Sequence, residues 1–209
     1  MKACNIPDWN SVSATHPILA RIPEQLRVVA HLIETPTGET LARIGERPRA
    51  ILYVLSGEVR LVRRSRGGAE IVLQRSQSGF IAEASLESSK YHCDIIAAAA
   101  SRLIRFPVSA FSAALDMESD FRKAWVSLLA KEIQKLRVQC ERLSLKTARE
   151  RILHYLMTEG TDGEIKLLVS RKSWAAELGL THEALYRSLA QLKREGVITL
   201  NAESIRVRH

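Results

Sequence analysis

The sequence predicts an α+β chain in which an antiparallel β domain precedes a long helix and a small, mainly helical C-terminal domain. Three observations predict this order. Short runs of alternating apolar residues lie between residues 51 and 106, residues 116–145 contain neither Gly nor Pro, and two capped helices flank Gly179. Because 209 residues suffice for two domains, we expect the β domain in residues 1–115, the long helix in 116–145 and the second domain in 146–209.

The composition favours a folded protein with a polyanionic partner. Apolar residues make up 46% and charged residues 26% of the chain, which excludes a wholly disordered protein. No apolar run approaches the roughly 18 residues of a membrane span, and the N-terminus lacks the apolar stretch of a signal peptide. We therefore expect a cytoplasmic protein that has no membrane partner. The net charge of +8 favours nucleic acid as the partner.

Cysteine and histidine residues argue against a metal centre. The three cysteines and six histidines are scattered along the chain, and the sequence contains neither a C-x-x-C nor an H-E-x-x-H motif. A structural zinc site, a four-cysteine iron–sulfur cluster and a disulfide framework are therefore not expected.

The first half of the chain combines short strands with glycine turns, after a predicted short helix at residues 23–32. Residues 52–63 alternate in polarity and are broken at Ser56-Gly57. Residues 66–69 predict a hairpin turn, and further strands are predicted at 70–74, 94–99 and 102–106. Strands of this length and spacing indicate an antiparallel sandwich or barrel.

The long helix follows a short helix at residues 109–115 and carries two apolar stripes. One stripe has the spacing of a heptad seam, and the other contains Phe121, Trp125 and Leu128. One stripe can pack on the β domain and the other on a second copy, so we expect a homodimer; alternatively, both stripes bury in one core. The seam consists of Val126, Leu129, Ile133, Leu136, Cys140 and Leu143.

The C-terminal domain has the pattern of a winged helix-turn-helix. Thr147 and Glu150 form a capping box for a helix at residues 148–157. Ser170 caps a helix at 171–178, Gly179 supplies the turn, and Thr181 caps a second helix at 182–195. Residues 197–200 and 204–208 then predict a hairpin, the wing. Double-stranded DNA is the expected partner, because the second helix of such a pair enters the major groove.

The polar side chains at the start of the second helix are the candidate base-reading residues. Arginine can donate two hydrogen bonds to guanine, and glutamate can accept one from cytosine. Glu183 and Arg187 could also form an ordinary surface ion pair. The base-reading candidates are His182, Glu183, Tyr186 and Arg187. The candidates for phosphate contacts, at helix N-termini, are Ser170, Arg171, Lys172 and Thr181.

Taken together, these motifs resemble those of the CRP/FNR family, the relatives of the cyclic AMP receptor protein. The resemblance covers residues 17–208. Its matching segments are 53–59 (YVLSGEV), 79–83 (GFIAE), the long helix, 178–187 (LGLTHEALYR) and 192–198 (LKREGVI). The resemblance implies an N-terminal β-roll, similar to cyclic-nucleotide-binding and cupin-like jelly-roll domains, and RNA polymerase as a further partner. It also implies that Glu183 and Arg187 read a TGA-like half-site, while His182 stands where the cyclic AMP receptor proteins have arginine.

The effector site departs from the family pattern. The family's ribose-binding glutamate is matched by Glu83, but Tyr91-His92 replaces its phosphate-binding Arg-Ser pair. Arg137 stands where small hydroxyl residues of the family meet adenine. Without the cation, a cyclic phosphate would lose hydration with little compensation, so we do not expect cyclic AMP to bind. A haem held by His92 or Cys93 remains open; the alternative is that Cys93 is buried and His92 lies at the surface. The effector itself is unknown.

Two other classes of function are less consistent with the sequence. A cupin-type enzyme needs several histidines for its metal, but residues 51–106 contain only His92. We therefore expect no catalytic activity. A regulatory β-roll module without DNA binding would have no use for the helix-turn-helix.

Overall fold

The computed structural model describes residues 2–4, 7–68, 70–166, 171–201 and 204–208, and for residues 2–4, 172 and 173 the backbone alone. The chain divides into two units, Met1–Ser127 and Leu128–His209. Within the described ranges, no helix combines the length and apolar character that crossing a membrane requires.

Antiparallel strands form two sheets in the first unit. The described strands are β1 (Lys2–Cys4), β2 (His31–Thr35), β3 (Thr40–Ala42), β4 (Ala50–Ser56), β5 (Val59–Arg64), β6 (Glu70–Ser76), β7 (Gly79–Ile81), β8 (Asp94–Ala97) and β9 (Ser101–Pro107). One sheet has the order β1-β2-β9-β4-β7, and the other has the order β3-β8-β5-β6. Every described strand pair is antiparallel, and most paired strands are distant from each other in sequence.

The two sheets share one apolar core. Val54 and Leu103 from the first sheet pack in the same cluster as Val59 and Ile95 from the second, and all four are completely buried. Successive side chains of a strand point to opposite faces of its sheet, so one face of each sheet lines this core. The result is the antiparallel β-roll that the sequence predicts.

The structure corrects the predicted helix at residues 23–32. Helix α1 (Trp9–Thr15) comes first, and α2 then covers only Glu24–Val28. The chain is already a strand at His31, which pairs with Arg105 of β9. Five successive residues of β2 join this ladder, and Ile33 is buried beneath it. Long-range pairing therefore outweighs the local helical spacing of the apolar residues.

The long helix begins three residues later than predicted. Helix α3 (Val108–Met117) is separated from α4 (Ser119–Ser144) by Glu118, whose backbone is extended with φ −108° and ψ 97°. This break lets Phe121 pack against Phe111, their ring centroids 5.3 Å apart. A single helix continuing from residue 116 would have directed Phe121 elsewhere.

Aromatic rings hold the start of α4 in the first unit. Trp125 lies 4.9 Å from Phe111 and 5.0 Å from Phe80, measured between ring centroids, with the planes steeply inclined. Phe121 and Trp125 are almost completely buried, and Leu128 is half-buried. Edge-to-face aromatic contacts of this kind add stability beyond the buried area alone. Phe121 and Trp125 of the second predicted stripe therefore face the core of the first unit.

The second unit is a winged helix-turn-helix, as predicted. Its described elements after α4 are α5 (Ala148–Glu159), β10 (Glu164–Lys166), α6 (Arg171–Glu177), α7 (His182–Arg194), β11 (Ile198–Leu200) and β12 (Ser204–Val207). The sheet has the order β10-β12-β11, so the predicted hairpin gains a third strand, β10, that the sequence did not reveal. Trp174, Leu178, Leu185, Leu189 and Ile205 form its buried core.

Local capping signals are present where the sequence predicts them. The Glu150 N–H donates to Thr147 Oγ1 at 3.1 Å, and the Thr147 N–H donates to Glu150 Oε2 at 2.9 Å. This reciprocal pair is the predicted capping box, and it begins α5 at the predicted residue. Ser170, the predicted cap of α6, lies outside the described residues.

Candidate nucleic-acid interface

Helix α7 has one buried apolar face and one exposed polar face. Its N-terminus is capped by Thr181, whose Oγ1 accepts the Ala184 N–H at 3.1 Å. Leu185, Leu189 and Leu192 are buried against the rest of the unit. The four predicted base-reading side chains all lie exposed in the first two turns: His182, Glu183, Tyr186 and Arg187. The structure therefore brings these four residues together on one accessible surface.

The turn before α7 depends on a glycine. Gly179 has φ +64°, a left-handed conformation that residues other than glycine rarely adopt. The Leu180 N–H donates to the Ala175 carbonyl at 2.9 Å, which closes the turn. Gly179 also lies close to its neighbours, since a Cβ there would be 3.0 Å from Leu143 Cδ2 and 3.1 Å from Arg151 Nη1. Both the backbone conformation and the space thus favour glycine at this position.

Glu183 is held in its charged form. Its pKa is lowered, first because the carboxylate accepts the backbone N–H of its own residue and then because Thr181 hydrogen-bonds to it. The charges of His182 and Arg187 lower the pKa further, with Arg187 contributing least. The alternative prediction of a Glu183–Arg187 ion pair thus corresponds to a weak attraction. Both head groups are exposed and chemically suited to hydrogen-bond a base edge.

Tyr186 contacts two neighbours on this surface. The His182 and Tyr186 rings have centroids 4.5 Å apart, with planes inclined by 56°. The guanidinium of Arg171, the first residue of α6, lies over the Tyr186 ring with Cζ 5.3 Å from its centre. Sequence reasoning placed Arg171 among the phosphate contacts and did not foresee this contact, because the two residues are fifteen positions apart.

The phosphate-contacting candidates are described only in part. Thr181 is exposed at the start of α7, and Arg171 is half-buried at the start of α6. Ser170 and the side chain of Lys172 lie outside the described part of the structure. In the wing, Arg206 Nε donates to Glu164 Oε2 at 2.9 Å, which joins β12 to β10.

Two arginines that the sequence did not single out fasten α5 to its neighbours. Arg142, at the end of α4, is 1% exposed; it donates to Glu159 Oε1 at 2.7 Å and lies over the Tyr155 ring. Burial is the main cause that raises the pKa of Tyr155 far above its ordinary value. Arg151 donates to backbone carbonyls on either side of α5. An arginine on a predicted helix surface carries no sequence signal for such a role.

The predicted effector residues fall in both units. Glu83 begins a short 3-10 turn after Ala82, whose φ is +70°. Tyr91 is buried, and its hydroxyl donates to the Ala50 carbonyl at 3.0 Å, whereas His92 is exposed. Arg137 is exposed on α4, in the other unit.

Cys93 is a buried thiol. Burial is the main cause that raises its pKa, and the nearby charge of Asp94 raises it further. Among the described residues, no group of three or more His, Cys, Asp or Glu side chains is arranged to hold a metal ion. Two surface cavities of about 630 and 580 Å³ in the first unit share Ser56 and Arg102, and Glu83, Tyr91 and His92 line neither of them.

The predicted heptad seam forms an exposed apolar stripe on α4. Val126, Ile133, Leu136 and Leu143 are between 42% and 58% exposed, Cys140 is exposed, and Leu129 is half-buried. Leucine and isoleucine side chains on a helix rarely stay this exposed unless another surface covers them.

Models of two known domains match the two halves of the chain. A model of the cyclic nucleotide-binding domain matches residues 32–118, and a model of the Crp-like helix-turn-helix domain matches residues 150–209. No curated protein sequence matches the chain.

Several solved structures share the fold. FixK2 from Bradyrhizobium japonicum is 24% identical, with a TM-score of 0.66, and the match covers 87% of this chain and 93% of that one. The c-di-GMP responsive global regulator CLP from Xanthomonas campestris is 21% identical, with a TM-score of 0.65 and coverage of 89% and 97%. DNR from Pseudomonas aeruginosa is 24% identical, with a TM-score of 0.52 and coverage of 96% and 93%.

Proposed function

The chain belongs to the CRP/FNR family of transcription regulators, and from this premise we propose that it is a homodimer that binds an inverted-repeat DNA operator. The members of this family are regulators and not enzymes. In the proposal, residues 1–115 are a sensor domain, 116–145 the dimerisation helix and 146–209 the DNA-binding domain.

The observation that carries DNA binding is the exposed polar start of α7. Its inner leucines are anchored in the core of the second unit, so the helix can present its outer face to the major groove without unfolding. Arg187 would donate two hydrogen bonds to a guanine, and Glu183 would accept one from a cytosine N4. Thr181, Arg171, Lys172 and Ser170 are assigned to phosphates, which position the helix without reading sequence.

The exposed stripe on α4 supports dimerisation. Two copies of the stripe would bury the apolar side chains that one copy leaves in water, in the manner of a short parallel coiled coil. Two recognition helices related by a twofold axis would read TGA-like half-sites whose centres lie about one helical turn apart. RNA polymerase is the further partner that a regulator of this kind implies.

The effector is the least defined part of the proposal. CLP is named a c-di-GMP responsive regulator, which establishes nothing about the ligand of this chain. Cyclic AMP is an unfavourable ligand here, because Tyr91 hydrogen-bonds within the core and His92 lies at the surface. A haem-dependent sensor on the same fold is the alternative.

Selection of DNA sites from random duplexes tests the proposal. The purified protein should enrich an inverted repeat with two TGA-like half-sites, bound at two chains per duplex. Enrichment of a repeat by a dimer supports the proposal. Recovery of unselected sequence, or binding no tighter than to random duplex, would instead favour a regulatory β-roll module that acts without DNA. Native mass spectrometry of the same preparation would reveal a bound small molecule or haem.

A further inference from the structure

An aromatic pair occupies the exposed start of α7. The His182 and Tyr186 rings are four residues apart on one helical face, with centroids 4.5 Å apart. Tyr186 is 45% exposed, so the core does not fix its orientation. An exposed tyrosine with no such contacts would sample several rotamers.

A third side chain joins this pair from the preceding helix. The Arg171 guanidinium lies over the Tyr186 ring with Cζ 5.3 Å from its centre, within the distance at which a cation is attracted to an aromatic face. The guanidinium is planar and can stack on the ring, which an ammonium group cannot do. Arg171, His182 and Tyr186 together form what we call the ring platform. It links the first turns of α6 and α7.

We propose that the ring platform makes Tyr186 the reader of the C5 methyl group of one thymine in each half-site, with Arg171 as the positioning residue. This inference rests on the proposed function, since it refines how α7 reads the major groove. For Arg171, it replaces the phosphate contact that the sequence predicts and that the proposed function adopts.

The chemistry of the groove supports this division of roles. Glu183 and Arg187 offer charged groups that pair with polar base edges, but neither recognises a methyl group. Thymine differs from the other bases in the major groove by that methyl, which requires an apolar contact. The Tyr186 ring supplies the apolar surface beside the two charged residues. Because the ring is already oriented, less side-chain freedom is lost when DNA binds.

Replacement of thymine by deoxyuridine tests the proposal directly, because it removes only the methyl group. Each thymine of the selected operator is replaced in turn, and dissociation constants are measured by fluorescence anisotropy. One position per half-site should weaken binding of the wild-type protein about three- to fivefold, the effect expected for one buried methyl. The Tyr186→Ala variant should bind the thymine duplex and the deoxyuridine duplex of that position with equal affinity.

Arginine variants separate positioning from phosphate contact. Arg171→Lys keeps the charge but replaces the broad guanidinium over the ring with a compact, strongly hydrated ammonium, so it should lose most of the methyl effect while the salt dependence stays unchanged. A phosphate contact predicts the reverse: Arg171→Lys keeps the methyl effect, and Arg171→Gln lowers the slope against log salt by about one. Arg194→Gln is the matched control, because it removes the same charge from the far end of α7 and should leave the methyl effect intact.

Each outcome bears on one of the two proposals. The methyl reader is overturned if no thymine is sensitive in the wild type, or if Arg171→Lys keeps full sensitivity. A failure of the proposed function looks different, since the wild type would then select no duplex at all. Circular dichroism of each variant shows that the second unit is still folded.

Discussion

The guanidinium of Arg151 lies against Gly179, and its Nη1 donates to the Gly179 carbonyl oxygen at 3.2 Å. The same side chain donates to the carbonyls of Leu145 and Leu143, at 3.0 and 3.2 Å. One residue of α5 thus joins the end of α4 to the turn that precedes α7. Because cation-assisted hydrogen bonds to carbonyls are directional, Arg151 fixes the position of the turn.

Replacing Arg151 with Ala should destabilise the second unit by about 2–4 kcal/mol, because several hydrogen bonds from a charged donor are lost together. Thermal unfolding followed by circular dichroism measures the effect. The matched control is Arg149→Ala, which removes only an exposed ion pair with Glu195 and should change the melting temperature little. An equal loss of stability in the two variants would mean that the hydrogen bonds of Arg151 stabilise the fold no more than an exposed ion pair does.

Two glycines of the second unit should differ in their tolerance of alanine. Both have positive φ, +64° at Gly179 and +74° at Gly196. A Cβ at Gly179 would crowd Leu143 and Arg151, whereas nothing lies within 4 Å of one at Gly196. Gly196→Ala should cost about 1–2 kcal/mol for the backbone alone, and Gly179→Ala clearly more. Urea denaturation measures the free energy of unfolding of the two variants. A loss of stability in Gly196→Ala equal to that in Gly179→Ala would contradict the crowding at Gly179.

The sequence predicts best those elements whose signals are local. The Thr147–Glu150 capping box, the Thr181 cap and the Gly179 turn each span a few residues, and the structure has all three. The antiparallel sheets were also predictable from alternation and glycine turns, whereas the β-roll followed from the resemblance to the family. The exposure of His182, Glu183, Tyr186 and Arg187 followed from helical periodicity once the turn was located.

Elements defined by distant partners were not predictable from the local pattern. Strand β2 exists because it pairs with β9, about seventy residues away, and β10 because it pairs with β12. The sequence also could not predict the hydrogen bond of the Tyr91 hydroxyl, because its acceptor, the Ala50 carbonyl, lies forty-one residues earlier in the chain. The Arg171 contact with Tyr186 is of the same kind, since it depends on how two helices pack.

Charges placed on the exposed seam should separate the proposed dimer. Ile133 and Leu136 are 50% and 54% exposed, so changing both to Asp costs the single chain little core packing. Two copies would then face each other with four buried carboxylates, which strongly disfavours association. Sedimentation should give monomers, with DNA binding at least tenfold weaker. The control Lys131→Asp with Gln134→Asp puts two carboxylates on the same turns away from the seam and should stay dimeric. Dimers in both variants would mean that the seam is wrongly assigned.

The two described thiols should differ in reactivity. Burial raises the pKa of Cys93 and covers it, whereas Cys140 is exposed on α4. Since the thiolate is the reactive form, Cys93 should stay unmodified at neutral pH in the folded protein. In a Cys4→Ser background that also carries the seam changes Ile133→Asp and Leu136→Asp, so that no second copy covers residue 140, a thiol reagent should modify one cysteine per chain, and mass spectrometry should locate it at residue 140. Cys140→Ser should abolish this rapid labelling, and denaturant should restore labelling at residue 93. Rapid labelling of Cys93 without denaturant would contradict its burial.

Base reading and phosphate contact should respond differently to substitution. Arg187 lies exposed on α7, where its head group can reach a guanine edge, so Arg187→Ala should cost about 1–3 kcal/mol and relax the preference at one base pair per half-site. Lys172 was assigned to phosphate from its sequence position, and Lys172→Ala should weaken binding to all duplexes alike and reduce the salt slope by about one. Site selection with the wild type and both variants, followed by salt titration, measures the two effects. An unchanged motif for Arg187→Ala together with an altered motif for Lys172→Ala would show that α7 docks in the groove in another orientation.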